Sequence, residues 1–367
     1  MKASNAKPNS LYLHQLFFVT INIQIGFAAL RISYITGKNA GHDGWLSVLA
    51  AGVATQLLIL LIWLLMRQYP RQDLFQIAVK LLGRLGGKLA IVLCAFYFCL
   101  LVQYTLIEIT RLIHVWVLPL TPQWALLFFP VLCIGYVAVE PARVLARFLT
   151  LSSLLLLFPL VLGFIPMVHG HWLYLLPVGD AGFVPIMKGA KEAFFGFLGF
   201  ESIFVTYALS RGTAAQKLGV ICSANAAVML YYVYLAIAGT VAFSSEESKL
   251  VPEPVLYMLK AVSFKIAERP DLLFFSVWLI IILGTSAGYL FLASSAIHRL
   301  LGLKRKPVII AICLACYLIA LFATGQDVMK LLRKILEYTS FVVLAGIPAL
   351  LLIVARFRKR TEVHSYE

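Results

Sequence analysis

The sequence predicts an all-α polytopic membrane protein of about ten transmembrane helices. Three observations carry that expectation. Hydrophobic residues make up 62% of the 367-residue chain and charged residues 13%, against roughly 45–50% and 25% in soluble domains. Mean hydropathy is +0.92. Apolar runs of about twenty residues, the length that crosses a bilayer as a helix, recur along the chain between short stretches rich in Lys and Arg. Together these exclude a soluble enzyme, a secreted disulfide scaffold and a disordered regulator.

The spans follow in order within one transmembrane domain over residues 1–367. The first, near 11–35, follows a polar segment with Lys2, Lys7 and Pro8. Its apolar run continues without a small-residue cleavage site, so it reads as a retained span and not as a signal peptide. The second lies near 44–66, and a short helix is expected after it at Asp73–Leu82. Spans three to seven lie near 88–113, 123–139, 145–167, 188–209 and 217–243. The stretch from Ser244 to Pro270 is more polar, and within it Val255, Leu256, Met258, Leu259 and Val262 recur at helical spacing beside Lys260 and Lys265. That pattern predicts an amphipathic helix lying on the surface. The last three spans lie near 271–298, 307–323 and 335–356.

The formal charge is +15, from 31 Lys and Arg against 16 Asp and Glu. In a lipid-dissolved chain this excess belongs to cytoplasmic flanks facing anionic headgroups, so no nucleic-acid partner is expected. The larger share of the basic residues falls on the side that holds Lys2, Arg67, Arg84, Arg143, Arg211, Arg305 and Arg358, which places both termini in the cytoplasm. The cysteines all fall in apolar runs. Cys313 and Cys316 form a CxxC with no second pair, so they read as small hydrophobes and not as a metal or redox site. No HExxH or P-loop occurs, and Ser286, Ser294 and Ser295 in the eighth span have no neighbouring His, so neither an enzyme nor a cofactor is expected.

Two spans carry polar chemistry at depth. The first contains Asn22, Gln24, Gly26 and Arg31; the sixth reads Phe194-Phe195-Gly196-Phe197-Leu198-Gly199-Phe200-Glu201-Ser202. Two readings of Gly196 and Gly199 are open. They are small residues that let helices approach closely, or they mark a break that frees backbone groups to meet a ligand. Glu201 favours the second, because an ionisable group at depth usually serves a pathway or a pair. Glu108 and Arg111 have the spacing of a same-helix ion pair. Arg31, late in the first span, is expected to snorkel to the interface.

These residues resemble a known group. Break-prone first and sixth spans match the amino acid–polyamine–organocation (APC) transporter superfamily, with its LeuT-like 5+5 inverted repeat and broken helices 1 and 6. Within it the chain is similar to the B subunits of nutrient germinant receptors of endospore-forming bacteria, a germination permease family. The likeness is carried by Gln15-Leu16-Phe17-Phe18, Gln24-Ile25-Gly26, Ala40-Gly41-His42-Asp43-Gly44-Trp45-Leu46-Ser47, Tyr69-Pro70, Leu74-Phe75, Leu81-Leu82-Gly83 and the segment from Glu253 to Leu259. It implies a permease-like subunit in the inner membrane of the spore. Its partners would be an A subunit and a lipoprotein C subunit, and its ligand a small nutrient such as an amino acid.

The implied ligand site comprises Gln24, Gly26, Phe27 and Ala28 on span one, Tyr104 on span three, and Phe195, Gly196, Phe197, Gly199 and Glu201 on span six. Glu108 and Glu201 are the implied groups for proton or ion coupling. The chain departs from the superfamily by having Gly26-Phe27-Ala28 in place of two flanking glycines, and Leu30-Arg31-Ile32-Ser33 where relatives carry a proline. Those departures leave the extent of unwinding open. A stand-alone proton-coupled amino-acid transporter and a bare structural or conducting subunit are the alternatives.

Overall fold

The computed structural model of the chain describes residues 10–248, 250–260, 270–323 and 325–364. Lys2 and Lys7 at the amino end, and Val262 and Lys265 of the expected surface helix, lie outside the described residues. The described chain is helical and contains no strand, only an isolated parallel bridge between Leu11 and Ser210.

The helices are α1 Leu13–Gln24, α2 Ala28–Ala40, α3 Gly44–Met66, α4 Leu74–Trp116, α5 Gln123–Val139, α6 Ala142–Ser152, α7 Leu157–His169, α8 Phe183–Phe194 and α9 Ile203–Leu209. They continue with α10 Ala214–Ala242, α11 Ser245–Ser248, α12 Pro254–Lys260, α13 Pro270–Leu301, α14 Arg305–Phe322, α15 Gln326–Phe341 and α16 Ile347–His364. Among the described residues seven stretches are long and apolar enough to cross a membrane. An eighth is the pair Phe183–Phe197 and Phe200–Leu209, bent by 42°. Gln123–Val139 is a further apolar helix of 17 residues, and α1 with α2 forms a second interrupted pair. Two expected spans are less regular than the apolar runs indicate. The one near 145–167 carries a 3₁₀ turn at Ser153–Leu156, and the one near 335–356 begins at Gln326 and contains a π turn at Val342–Gly346.

Local chemistry sets the helix starts. At α4, Gln76 N donates to Asp73 Oδ1 at 2.9 Å and Asp73 N donates to Gln76 Oε1 at 3.1 Å, a reciprocal cap for two orphan donors. Thr213 and Gln216 do the same for α10, at 3.2 and 2.9 Å. The short amphipathic helix expected at Asp73–Leu82 forms the first turns of α4, set off by Gly83 at φ 74° and ψ −175°. That turn folds Val79 back against Gly87, where an added Cβ would stand 2.4 Å from Val79 Cα.

The packing keeps an apolar core and adds an apolar perimeter. The long helices α4 and α13 lie against each other, and the aromatics between them and their neighbours (Tyr97, Phe98, Phe197, Phe204, Tyr232 and Trp278) are fully buried. The perimeter is apolar as well, with Leu57, Phe129, Ile310 and Phe322 exposed, as a chain solvated by lipid requires.

Asp43 explains the Ala40–Ser47 stretch. The side chain is buried, and Oδ1 and Oδ2 accept from Gly179 N at 2.8 Å and Ala181 N at 3.0 Å. Ser47 Oγ donates to Ile186 O at 2.9 Å. These bonds clamp the start of α3 to the loop that leads into α8, and so set where the sixth span enters the bundle.

Gly87→Val is expected to lower the melting temperature of the detergent-purified protein, because the added groups meet backbone that cannot swing aside; overpacking of this kind costs ~1–3 kcal/mol. Gly219→Ala, whose Cβ meets nothing within 4 Å, should leave it nearly unchanged. Equal melting of the two variants would contradict the packing described.

Candidate ligand site at the two helix breaks

Both expected breaks are present. α1 ends at Gln24, Ile25 turns to φ −84° and ψ 95°, and α2 starts at Ala28. In the sixth span Leu198 is extended at φ −57° and ψ 145°, and Gly199 takes φ 123° and ψ −22°. The two glycines divide the two roles left open by the sequence. A Cβ on Gly199 would lie 2.5 Å from the carbonyl carbon and oxygen of Ile23, in a region of φ that side chains rarely adopt, so this glycine makes the break. A Cβ on Gly196 would lie 2.5 Å from Ala28 Cβ, so this one lets α8 approach α2.

The freed backbone is paired mostly by side chains. Gln24 Nε2 donates to Phe197 O at 3.1 Å and to Asn225 Oδ1 at 3.2 Å. Tyr232 Oη lies 2.9 Å from Gln24 O and 3.0 Å from Gly196 O, so its single proton is shared by one carbonyl from each break. Thr285 Oγ1 donates to Asn22 O at 2.8 Å, and Asn22 Nδ2 donates to Ser152 Oγ at 3.0 Å. Glu201 is fully buried and accepts from Gly199 N at 2.7 Å and from Tyr97 Oη at 2.9 Å. Its carboxylate therefore caps the second half of the broken span.

Between the breaks lies a cavity of about 70 Å³, room for a few waters or a compact ligand. Of the expected site residues Gln24, Gly26, Phe27, Ala28, Tyr104, Phe195 and Gly196 line it. Phe197, Gly199 and Glu201 stand behind it: Phe197 is buried against Tyr232, and the other two form the cap just described. Thr105, Thr285, Tyr289, Glu192, Arg31 and Arg333 add further polar lining, beside Ile23, Ile35, Leu101 and Leu198. The cavity leads to a vestibule of about 740 Å³ between α2, α4, α5, α14 and α15. Tyr104, Arg31 and Arg333 line both spaces and form the neck. There Tyr104 meets Phe195 edge-on at 5.4 Å, and the Arg333 guanidinium lies over the same ring, 5.5 Å from its centre, while bonded to Glu192.

An ionic layer borders the vestibule. Arg111 Nε donates to Glu108 Oε2 at 2.9 Å, the expected same-helix pair, and Arg111 Nη2 donates to Glu253 Oε1 at 2.8 Å. Arg31, expected to snorkel, has its guanidinium 3.5 Å from Glu108 and 3.9 Å from Glu253, so two carboxylates stand as its counter-charge. Glu108 lines the vestibule and not the inner cavity. At the opposite end Leu11 N donates to Leu209 O and Arg211 N to Leu11 O, both at 2.9 Å, tying the start of α1 to the end of α9.

The sequence profile of a family described as spore germination protein matches residues 10–329. This chain belongs to that family. It is 28% identical over 343 residues to the spore germination protein GerQB of Bacillus cereus, covering 93% of this chain and 94% of that one. It is 20% identical over 352 residues to the spore germination protein YndE of Bacillus subtilis (strain 168), covering 95% and 97%. The solved structure of MhsT in complex with L-phenylalanine superposes with a TM-score of 0.66 at 14% identity, over 93% of this chain and 87% of that one. The fold is thus the LeuT-like all-α arrangement with broken first and sixth helices, and the chain is a multi-pass membrane protein of the germination permease type.

Sequence reasoning missed Tyr97, Asn225, Tyr232, Thr285 and Arg333. The first four are polar residues in apolar helices, a signal that was visible, whereas Arg333 is one of several charges in α15; in every case the partner lies far along the chain.

Glu201→Gln keeps the shape and exchanges one acceptor oxygen for a donor facing either Gly199 N–H or Tyr97 O–H. It is expected to destabilise the protein by ~1–3 kcal/mol and more than Tyr97→Phe, which removes one bond worth ~1 kcal/mol. Thermal melts of both variants check the order.

Proposed function

We infer that this chain is the permease-like subunit of a nutrient germinant receptor and that a small germinant, an amino acid, binds in the cavity between the two helix breaks. The observation that carries the reading is the cavity itself, set where backbone from both broken spans converges at mid-bundle and open to a vestibule on one side. Half-helix ends supply the recognition. The start of α2 at Phe27 and Ala28 lines the cavity and turns the positive end of its dipole to a carboxylate, and the end of α8 turns its negative end to an ammonium. That MhsT, with the same fold, is solved with L-phenylalanine supports the ligand class.

The positive-inside reading puts the N-terminal end of α1 in the cytoplasm and the vestibule on the outer side. The bonds between Leu11, Leu209 and Arg211 close the cytoplasmic end, so the ligand arrives from outside. In the spore this is the outer side of the inner membrane, where a lipoprotein C subunit would stand, with a membrane-anchored A subunit reading the change from within. Ligand binding acts by favouring one of two arrangements of the bundle, because it binds one more tightly.

Gly196→Val forces α8 away from Ala28 and fills the cavity. Spores carrying it as their only copy should lose or strongly right-shift the germination dose response at normal protein level. An unchanged dose response would sink the placement. Directly, a ligand at a hundred times its Kd should stabilise the purified protein by about 2.7 kcal/mol, and that stabilisation should vanish in the same variant.

A further inference from the structure

Arg31 is the basic residue that touches the inner cavity without being held at hydrogen-bond distance by any carboxylate. Phe27, Arg31 and Ile35 are spaced by four along α2 and all line the cavity, so the guanidinium looks onto the same space as the helix's first turn. Arg333, the other basic lining residue, is bonded to Glu192. Glu108 and Glu253 are each bonded by Arg111, at 2.9 and 2.8 Å, whereas Arg31 stands 3.5 and 3.9 Å away. Arg31 Nε is buried and has no hydrogen-bond partner. A buried donor on a cation is expensive to leave unmade, and a carboxylate taken in a forked geometry outbids contacts of that length.

Glu253 carries a second connection. Its carbonyl accepts from Leu256 N at 3.0 Å and Tyr257 N at 3.2 Å, so it starts α12, which packs on α2, α7, α10 and α13. Of the two carboxylates facing Arg31, Glu108 on α4 is the nearer at 3.5 Å, and Glu253, at 3.9 Å, stands at the start of α12 between α10 and α13.

We propose that Arg31 binds the free carboxylate of the ligand and that Glu253, at the start of α12, competes for it. This rests on the ligand-sensing reading above and adds to it a recognising residue, a required ligand group and a competing carboxylate. The ligand class is narrowed to molecules with an unblocked carboxylate; amides and amines of the same skeleton are excluded.

The test is a titrated melting-temperature assay on the full-length purified protein with the twenty L-amino acids, each beside its carboxamide. The parent protein should prefer an acid over its amide by about tenfold or more, the scale of a lost charged hydrogen bond. Arg31→Gln should bind acid and amide alike, both weakly. Arg31→Lys, which keeps the charge and decides the matter if Arg31→Gln does not fold, should keep part of the preference. Glu253→Gln should bind the acid several-fold tighter. Equal binding of acid and amide by the parent protein, or a preference that survives in Arg31→Gln, overturns the assignment of Arg31 and leaves the sensing reading standing. Unchanged or weaker binding in Glu253→Gln overturns the competition. No response to any amino acid overturns the sensing reading and this inference with it.

Discussion

Backbone groups released inside an apolar bundle have no water to turn to, and each left unpaired costs several kcal/mol. That constraint organises the molecule. Gln24 leaves the first span to reach a carbonyl of the sixth, Tyr232 shares one proton between a carbonyl of each, and Glu201 closes the N–H of Gly199. Neither break is satisfied alone. Because the pairs run from one break to the other, the two interrupted spans behave as one polar layer inside a hydrophobic body. The supports come from α4 through Tyr97 and from α10 through Asn225 and Tyr232.

The cavity is a by-product of that pairing. Where the two chains separate enough to need side-chain bridges, they leave space with backbone ends around it. The close approach of Gly196 to Ala28 keeps the space small, and the neck of Tyr104, Arg31 and Arg333 separates it from the vestibule. A small ligand that bridges groups on both spans therefore acts on the same contacts that hold the spans together. In the proposed sensing role, this is the physical route by which a permease-like fold would report an encounter, with or without carrying anything across.

Much of this was legible in the sequence. Apolar runs and basic flanks give the helices, and polar or glycine residues inside spans one and six mark the breaks, because in an apolar background each such residue has to be explained. The departure at Phe27-Ala28 did not prevent the first break, since Ile25 supplies the extended backbone that a second glycine would otherwise ease. What sequence cannot show is distance. Arg31 at the end of an apolar run reads as a snorkelling residue, and folding places Glu253, from a loop far along the chain, 3.9 Å away. Glu201 reads in the sequence as a polar anchor or a helix stabiliser, and only the fold brings Tyr97, far along the chain, to one of its oxygens while Gly199 N–H meets the other. In each case residue type was readable and partner was not.

The central claim, that the space between the breaks is a ligand site reached from the vestibule, is tested most directly by thiol labelling in right-side-out membranes. The background is a variant with its native cysteines replaced by alanine, carrying Thr105→Cys in the cavity or Lys38→Cys in the vestibule. A small membrane-impermeant reagent should modify both, and the amino acid that stabilises the protein should protect Thr105→Cys while leaving Lys38→Cys reactive. A Thr105→Cys variant that is unreactive from outside, or that reacts equally fast with the amino acid present, would contradict the account.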